Sequence, residues 1–310
     1  MNISLYIDEY KRYLQLEKNL AKNTLEAYIR DINKIIDFIN LNQIKTNSVK
    51  IDYFFLNDFV KWIAISGIAT ATQARIISAI RSFFNYLILE KIIDENPTEM
   101  LEFPKLVKKL PNILSFEEIE KILSFIDLSI TGGFRNKVML ELLFACGLRV
   151  SELINLKKTD ISFDEEWIIV TGKGNKQRLV PISANALNLI KIYLETERNN
   201  QPASTKDKEI LFLNRRGTKL SRVFIFNVIK ELTQKAGINK NVSPHTLRHS
   251  FATGLVTNGA DLRAVQNMLG HESITTTEIY THLDRKFLKK TIDEFHPRSE
   301  KRKNSAPKED

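Results

Sequence analysis

Apolar side chains recur as Ala27, Tyr28, Ile32, Ile35, Ile36 and Ile39. That three- and four-residue spacing lays one face of an α-helix against a core. Asn23 stands just ahead of this run and is expected to cap it. A second period of the same kind covers roughly 70–90, with Ile76, Ile77, Ile80, Phe83, Phe84, Leu87 and Ile88 on one side. Gln73, Arg75, Ser78 and Arg81 line the other side. Residues 1–103 contain no convincing strand, so this part of the chain reads as helical throughout.

The pattern breaks where Pro104 and Pro111 flank a basic stretch without helical period. Each proline disfavours helix in the residue before it, so 104–114 reads as a linker. Ser115 followed by Glu118 then makes a capping box, a clean start for the next helix. Helices are expected at 115–127, 133–146 and 150–157. The character changes over 159–182, where β-prone runs at 167–170 and 178–182 flank Gly172, Lys173, Gly174, Asn175 and Lys176. Two such runs around a glycine-rich turn predict a hairpin. Helices resume at 184–199, 221–236, 246–257, 261–269, 275–281 and 284–294. Beyond Pro297 the chain is charged without apolar periodicity, and 298–310 reads as a flexible tail. The expectation is a mainly α protein with a small β-hairpin: a helical domain over 1–103 and a mixed domain over 115–297.

Length and hydrophobic content (310 residues, 43%) suit two packed cores. No run of 18 apolar residues suggests a membrane span, and acidic and basic residues interrupt the N-terminus before any leader pattern forms. The single cysteine, Cys146, follows an apolar run and reads as a core residue suited to a reducing cytosol. The net charge of +9 is unevenly placed: residues 1–103 carry 12 Lys and Arg against 13 Asp and Glu, the remainder 34 against 24. If the partner is a nucleic acid, the second part supplies most of the phosphate neutralisation. For the polar side of the 70–90 helix two readings stand. The pattern alone favours a solvated face; the alternative lays the helix in a DNA groove, with Arg75 and Arg81 reaching phosphates or base edges. Gln73 and Ser78 on that side, with Lys176 and Arg222 in the second part, complete the DNA-binding candidates.

The chemistry-bearing residues concentrate late in the chain. Phosphoryl transfer needs an in-line nucleophile, cationic donors on the equatorial oxygens, and a proton for the departing oxygen. Tyr280 could supply the nucleophile, although a lone tyrosine is usually a helix anchor. Arg149 and Arg248 fit paired clamps, because a guanidinium presents a planar, permanently charged fork to phosphate oxygens. Glu152, one helical turn after Arg149, offers it a local ion pair, and both roles can hold together. Lys173 on the hairpin turn could protonate the leaving oxygen, with Lys176 and Arg178 as nearby competitors. His245 and His271 could donate to phosphate oxygens or carry the tyrosine proton. Ligands at metal-binding spacing are missing around these histidines, so no metal or other cofactor is expected.

Five segments now make a recognisable set: 147–153 around Arg149, 172–178 around Lys173, 245–253 with His245 and Arg248, 265–271 ending at His271, and 276–282 around Tyr280. With them the chain resembles the tyrosine recombinase (phage integrase) family, most closely its bacterial Xer branch, over nearly its whole length. The resemblance implies a helical core-binding domain and a catalytic domain that clamp DNA, and places Arg149, Lys173, His245, Arg248, His271 and Tyr280 on the family's catalytic positions. It implies tyrosine attack on the scissile phosphate, a 3′-phosphotyrosyl link and a free 5′ hydroxyl, with neither ATP nor a divalent metal. It further implies a tetramer on two recombination sites, homomeric or shared with a paralogue, and a C-terminal helix (284–294) docked on a neighbouring protomer. A cytoplasmic, nucleoid-associated enzyme resolving chromosome dimers, switched on by a DNA translocase, is the expected role. A mobile-element integrase, a type IB topoisomerase and a non-catalytic DNA-binding protein are the alternatives. Gly254, where relatives often carry a histidine, is a small departure outside the catalytic set.

Overall fold

The computed structural model describes residues 3–18, 20, 22–43, 51–105, 113–172, 175–270 and 282–297. It divides into two compact units, Met1–Lys109 and Leu110–Asp310. The expected flexible tail at 298–310, the helix at 275–281 and much of the expected linker lie outside the described residues.

The first unit is built from α1 (Ser4–Leu16), α2 (Lys22–Leu41), α3 (Tyr53–Ile65) and α4 (Thr70–Leu89). The two long helices, α2 and α4, form the central pair, with α1 packed on α2 and α3 on α4. The apolar periods read from the sequence face inward: Ile32, Ile35, Ile76, Ile80, Phe83 and Leu87 are fully buried. Asn23 does not cap α2; the helix already begins at Lys22, which leaves Asn23 inside its first turn.

The polar side of α4 is neither a free basic face nor merely solvated. Arg75 Nη1 pairs with the carboxylate of Asp31 on α2, which is completely buried. Arg81 Nη2 donates to the carbonyl oxygens of Leu101 (2.9 Å) and Thr98 (3.4 Å), and its guanidinium lies 4.6 Å from the Phe103 ring centroid. Gln73 Nε2 donates to the Ile68 carbonyl at 2.6 Å and Ser78 Oγ to the Ala74 carbonyl at 2.9 Å. Arg75 and Arg81, which the sequence offered as DNA-reaching cations, thus both have partners inside the unit and serve to hold it together. Those partners lie 44 and 20 residues away along the chain, a separation that helical periodicity does not register.

The second unit contains α5 (Phe116–Ser124), α6 (Gly133–Ala145), α7 (Val150–Asn155), a three-stranded antiparallel sheet, and α8 (Ala184–Tyr193), α9 (Arg222–Lys235), α10 (Pro244–Thr257), α11 (Leu262–Leu269) and α12 (His282–Phe295). The sheet runs β1 (Ile161–Ser162), β2 (Trp167–Thr171) and β3 (Gln177–Pro181) in that order. Opposing pairs in the β2–β3 hairpin run from Trp167 with Pro181 to Thr171 with Gln177. The Ser115–Glu118 capping box is present, with bonds of 2.8 and 3.2 Å. The predicted helix at 184–199 is split: α8 stops at Tyr193 and a wider π turn, Leu194–Arg198, follows. Arg198 is buried there and donates to the carbonyls of Ile210 and Lys208, an anchor that accompanies the change of helical pitch.

Helix α6 is the centre of this unit, buried on nearly every side, with α8 and α10 packed against it. Cys146, at its end, is fully buried, and burial pushes its thiol well above the ordinary range, as expected of a core residue. Gly147 turns the chain out of α6 with φ +57°, and a Cβ there would fall 2.5 Å from the Phe251 ring. Only glycine satisfies both constraints. Helix α12 seats on α10, α11 and β3 of its own chain, with Leu288 and Ile292 buried and Asn258 Nδ2 donating to the Phe295 carbonyl at 2.8 Å.

The Asp31–Arg75 pair gives a test. Burial raises the Asp31 carboxyl despite Arg75, and its Oδ1 has no hydrogen-bond partner among the described residues. Arg75→Met, which strands this carboxylate, is expected to cost about 3–5 kcal/mol in urea unfolding, and Asp31→Asn much less. Equal losses would mean that side-chain packing, not charge, is what the pair contributes.

Candidate active site

The path from α6 to α7 sets the first cation. After the Gly147 turn, Arg149 takes the N-cap position of α7 with extended backbone. Glu152 at the third helical position folds back, accepting from the Arg149 backbone N–H at 2.7 Å and from Arg149 Nη1 at 2.8 Å. The local pair anticipated from the sequence is therefore present. Arg149 Nη2 donates to the carbonyl of Gly270 at 3.2 Å, just beyond α11.

Two more arginines converge on the same carboxylate. From β3, Arg178 grips Glu152 with both ends of its fork, at 2.8 Å to Oε1 and 2.9 Å to Oε2, while its Nε donates to the Met268 carbonyl at 2.7 Å. From α10, Arg248 lies 3.9 Å from Glu152 Oε2 and donates to the carbonyls of Gly147 and Leu269, each at 2.5 Å. Helix α10 starts two residues before the expected 246, with Ser243 as cap and Pro244 as first helical residue, a position that needs no N–H. This start sets His245 exposed on the first turn, one turn before the buried Arg248.

The electrostatics follow from three guanidinium groups around one carboxylate. Burial alone would raise the Glu152 carboxyl, but its bonds and charge contacts to Arg178, then Arg149, outweigh that and hold it below the ordinary range. Burial, with Arg149 close by, lowers Arg248 to about 10, which leaves it protonated at neutral pH. The cluster keeps a surplus of positive charge, and Arg149, with 36% of its side chain exposed, presents it to solvent. Such a site stabilises an anion whose charge grows during reaction.

Of the six sequence-predicted catalytic residues, Arg149 and Arg248 are brought together and His245 sits on the same helix as Arg248. Lys173, His271 and Tyr280 lie outside the described residues. Their flanks are described: the Gly172 N–H donates to the Lys176 carbonyl at 2.7 Å across the base of the hairpin turn, and Gly270 closes α11 in the left-handed conformation. Lys176 and Arg222 are exposed. Arg178 is a correction. Weighed as an alternative proton donor, it is buried, with its whole fork on Glu152. Strand alternation could have shown this, since 178 and 180 share the inward side of β3 and an inward arginine requires a buried partner.

Residues 112–286 match the model of the phage integrase family, and residues 7–91 match its N-terminal SAM-like domain. The chain belongs to the phage integrase family. Among its relatives, a protein named tyrosine recombinase XerD from Staphylococcus epidermidis is 42% identical over 293 residues, 94% of this chain and 99% of the relative. One of the same name from Staphylococcus aureus is 43% identical over the same shares. A solved structure of XerH site-specific recombinase bound to difH substrate, in a pre-cleavage complex, matches with TM-score 0.66 at 28% identity, over 92% of this chain and 82% of that one. A lambda integrase dimer bound to a core site matches at TM-score 0.68 and 20% identity, over 90% of this chain and all of that one, a likeness of fold. The protein is a tyrosine recombinase, an enzyme that cleaves and rejoins DNA through a tyrosine intermediate.

The buried carboxylate of the recombinase gives a second test. Glu152→Gln leaves Arg178 and Arg248 buried without their counter-charge and is expected to cost about 3–5 kcal/mol. Because the folded-state carboxyl is lowered, its stabilisation is complete at neutral pH and is lost as pH falls through the folded value, below the ordinary glutamate range. Urea unfolding followed from neutral to acid pH should show a shallower loss in the Gln variant; identical slopes would exclude Glu152 as a source of the acid dependence.

Proposed function

We propose that this recombinase acts at a chromosomal DNA recombination site and resolves chromosome dimers, with Tyr280 as nucleophile. The observation that carries the reading is the convergence of Arg149 and Arg248 on one buried carboxylate at the cationic site. In this reading both guanidinium groups hold the non-bridging oxygens of the scissile phosphate, and His245 and His271 donate to that phosphate or carry the tyrosine proton. The Tyr280 oxygen forms a bond to phosphorus as the bond to the 5′ oxygen breaks, and Lys173 delivers a proton to that oxygen. A 5′ hydroxyl from a partner duplex reverses the step, so the ester bond is conserved and no external energy source enters. Lys176 and Arg222, both exposed, are the phosphate contacts retained from the sequence reading, and Gln73 and Ser78 remain candidates on α4.

The wider assembly belongs to the same proposal: two helical and catalytic domains clamping each site, a tetramer across two sites, and activation by a DNA translocase at the nucleoid. Identity of 42–43% across almost the full length of the relatives named XerD supports this role over that of a mobile-element integrase. Mapping covalently trapped DNA across the genome separates the two, since a replication-terminus site supports the first and element ends the second.

Tyr280→Phe is expected to keep DNA binding and to abolish the covalent adduct on a nicked suicide substrate; an adduct that persists would assign the nucleophile elsewhere. Lys173→Ala is expected to slow cleavage, far less so when sulfur replaces the 5′ bridging oxygen, because a thiolate leaves without protonation. Equal slowing on both substrates would remove Lys173 from the general-acid role.

A further inference from the structure

Glu152 has two carboxylate oxygens and faces three arginines, and its bonds are unequally shared. Arg178 takes one bond on each oxygen, the bidentate arrangement that is strongest for this pair. Arg149 takes a single side-chain bond to Oε1, and Arg248 stays at 3.9 Å. The most buried of the three cations thus holds the carboxylate: Arg178 has 7% of its side chain exposed, against 36% for Arg149 and 10% for Arg248. Arg178 is also fixed from its other end by Nε on the Met268 carbonyl. Its stem runs against Gly270, where a Cβ would fall 3.0 Å from Arg178 Cδ. A side chain at 270 would push this arginine off its seat.

We infer that Arg178 is a positioning residue of the recombination reaction, holding Glu152 so that Arg149 and Arg248 keep donors free for the phosphate. This rests on the reading of Arg149 and Arg248 as the phosphate clamp. Without Arg178, the buried carboxylate would retain one full partner, and its unbalanced charge would draw Arg149 and Arg248 inward. Both would then face Glu152 rather than a ligand. Arg178 further ties three pieces of the site: β3, which ends the hairpin turn, the cap of α7, and the last carbonyls of α11. It touches none of the reacting atoms in this account; its effect passes through Glu152.

The test measures single-turnover cleavage and DNA affinity of the full chain on a nicked suicide substrate. Arg178→Met is expected to lower cleavage about 100-fold, the size of effect that follows from a small misplacement of catalytic groups, with DNA affinity essentially unchanged. Replacing a non-bridging oxygen of the scissile phosphate by methyl removes the charge that the clamp serves, so most of the deficit should vanish on that substrate. Adding Glu152→Gln to Arg178→Met removes the stranded carboxylate and should recover cleavage at least in part. An equal deficit on both substrates, or a double variant slower than Arg178→Met, would overturn the inference. Arg178→Lys keeps a charge but not the two-point grip, and is compared in the same way if the Met variant does not fold. Arg149→Ala runs alongside as the control for the underlying reading. If it cleaves normally, the clamp itself is wrong; if it is impaired while Arg178→Met is not, only the positioning role fails.

Discussion

The catalytic unit depends on one buried carboxylate. Glu152 is within hydrogen-bonding reach of groups from the start of α7 and from β3, and within 4 Å of an arginine from α10. Without it, three guanidinium groups would repel one another in a low-dielectric interior. With it, they share a centre, and the carbonyls of Gly147, Met268, Leu269 and Gly270 take up further donors. These carbonyls come from two chain turns, each at a glycine in the left-handed conformation. The electrostatic site and the backbone turns that shape it are therefore one construction, and the glycines matter through the carbonyls they aim.

The helices were legible in the sequence because amphipathic period and capping residues act locally. The Ser115–Glu118 box and the hairpin around 172–176 both depend on neighbours within a few residues, and both stand where pattern placed them. Asn23 and the break after Tyr193 were not legible. A capping side chain and a further turn of packing compete at such ends, and tertiary contact decides. The same limit governs the polar face of α4. Gln73, Arg75, Ser78 and Arg81 form a stripe that suits solvent or DNA equally well, and only Asp31, Leu101 and Phe103 reveal what the arginines hold.

For the candidate site, residue types and order singled out Arg149 and Arg248, and the fold brings both to one carboxylate. Their means of support was less visible. Glu152 was read correctly from its spacing to Arg149, a local relation. Arg178 was misread as a candidate proton donor, since its neighbours in sequence are the exposed Lys176 and Gln177 while its neighbours in space are Glu152 and Met268. An alternating strand puts adjacent residues on opposite faces, so sequence proximity to a turn says little about where a side chain goes.

Two buried carboxylates in this chain show why the number of partners, rather than burial, decides what an acid contributes. Asp31 has one arginine, itself more than a third exposed, and one oxygen without a partner among the described residues; burial prevails and its carboxyl is raised. Glu152 is almost equally hidden, yet both of its oxygens accept two bonds each, and its carboxyl is lowered. The first is a charge that the fold tolerates at some cost in exchange for fixing α2 against α4. The second is a charge that the fold stabilises, and so it can serve as a rigid reference for cations that must meet an anion. The preorganisation proposed for this site requires that the anchor be more fully bonded than the groups it holds, which is the order in which Glu152, Arg178 and Arg149 stand.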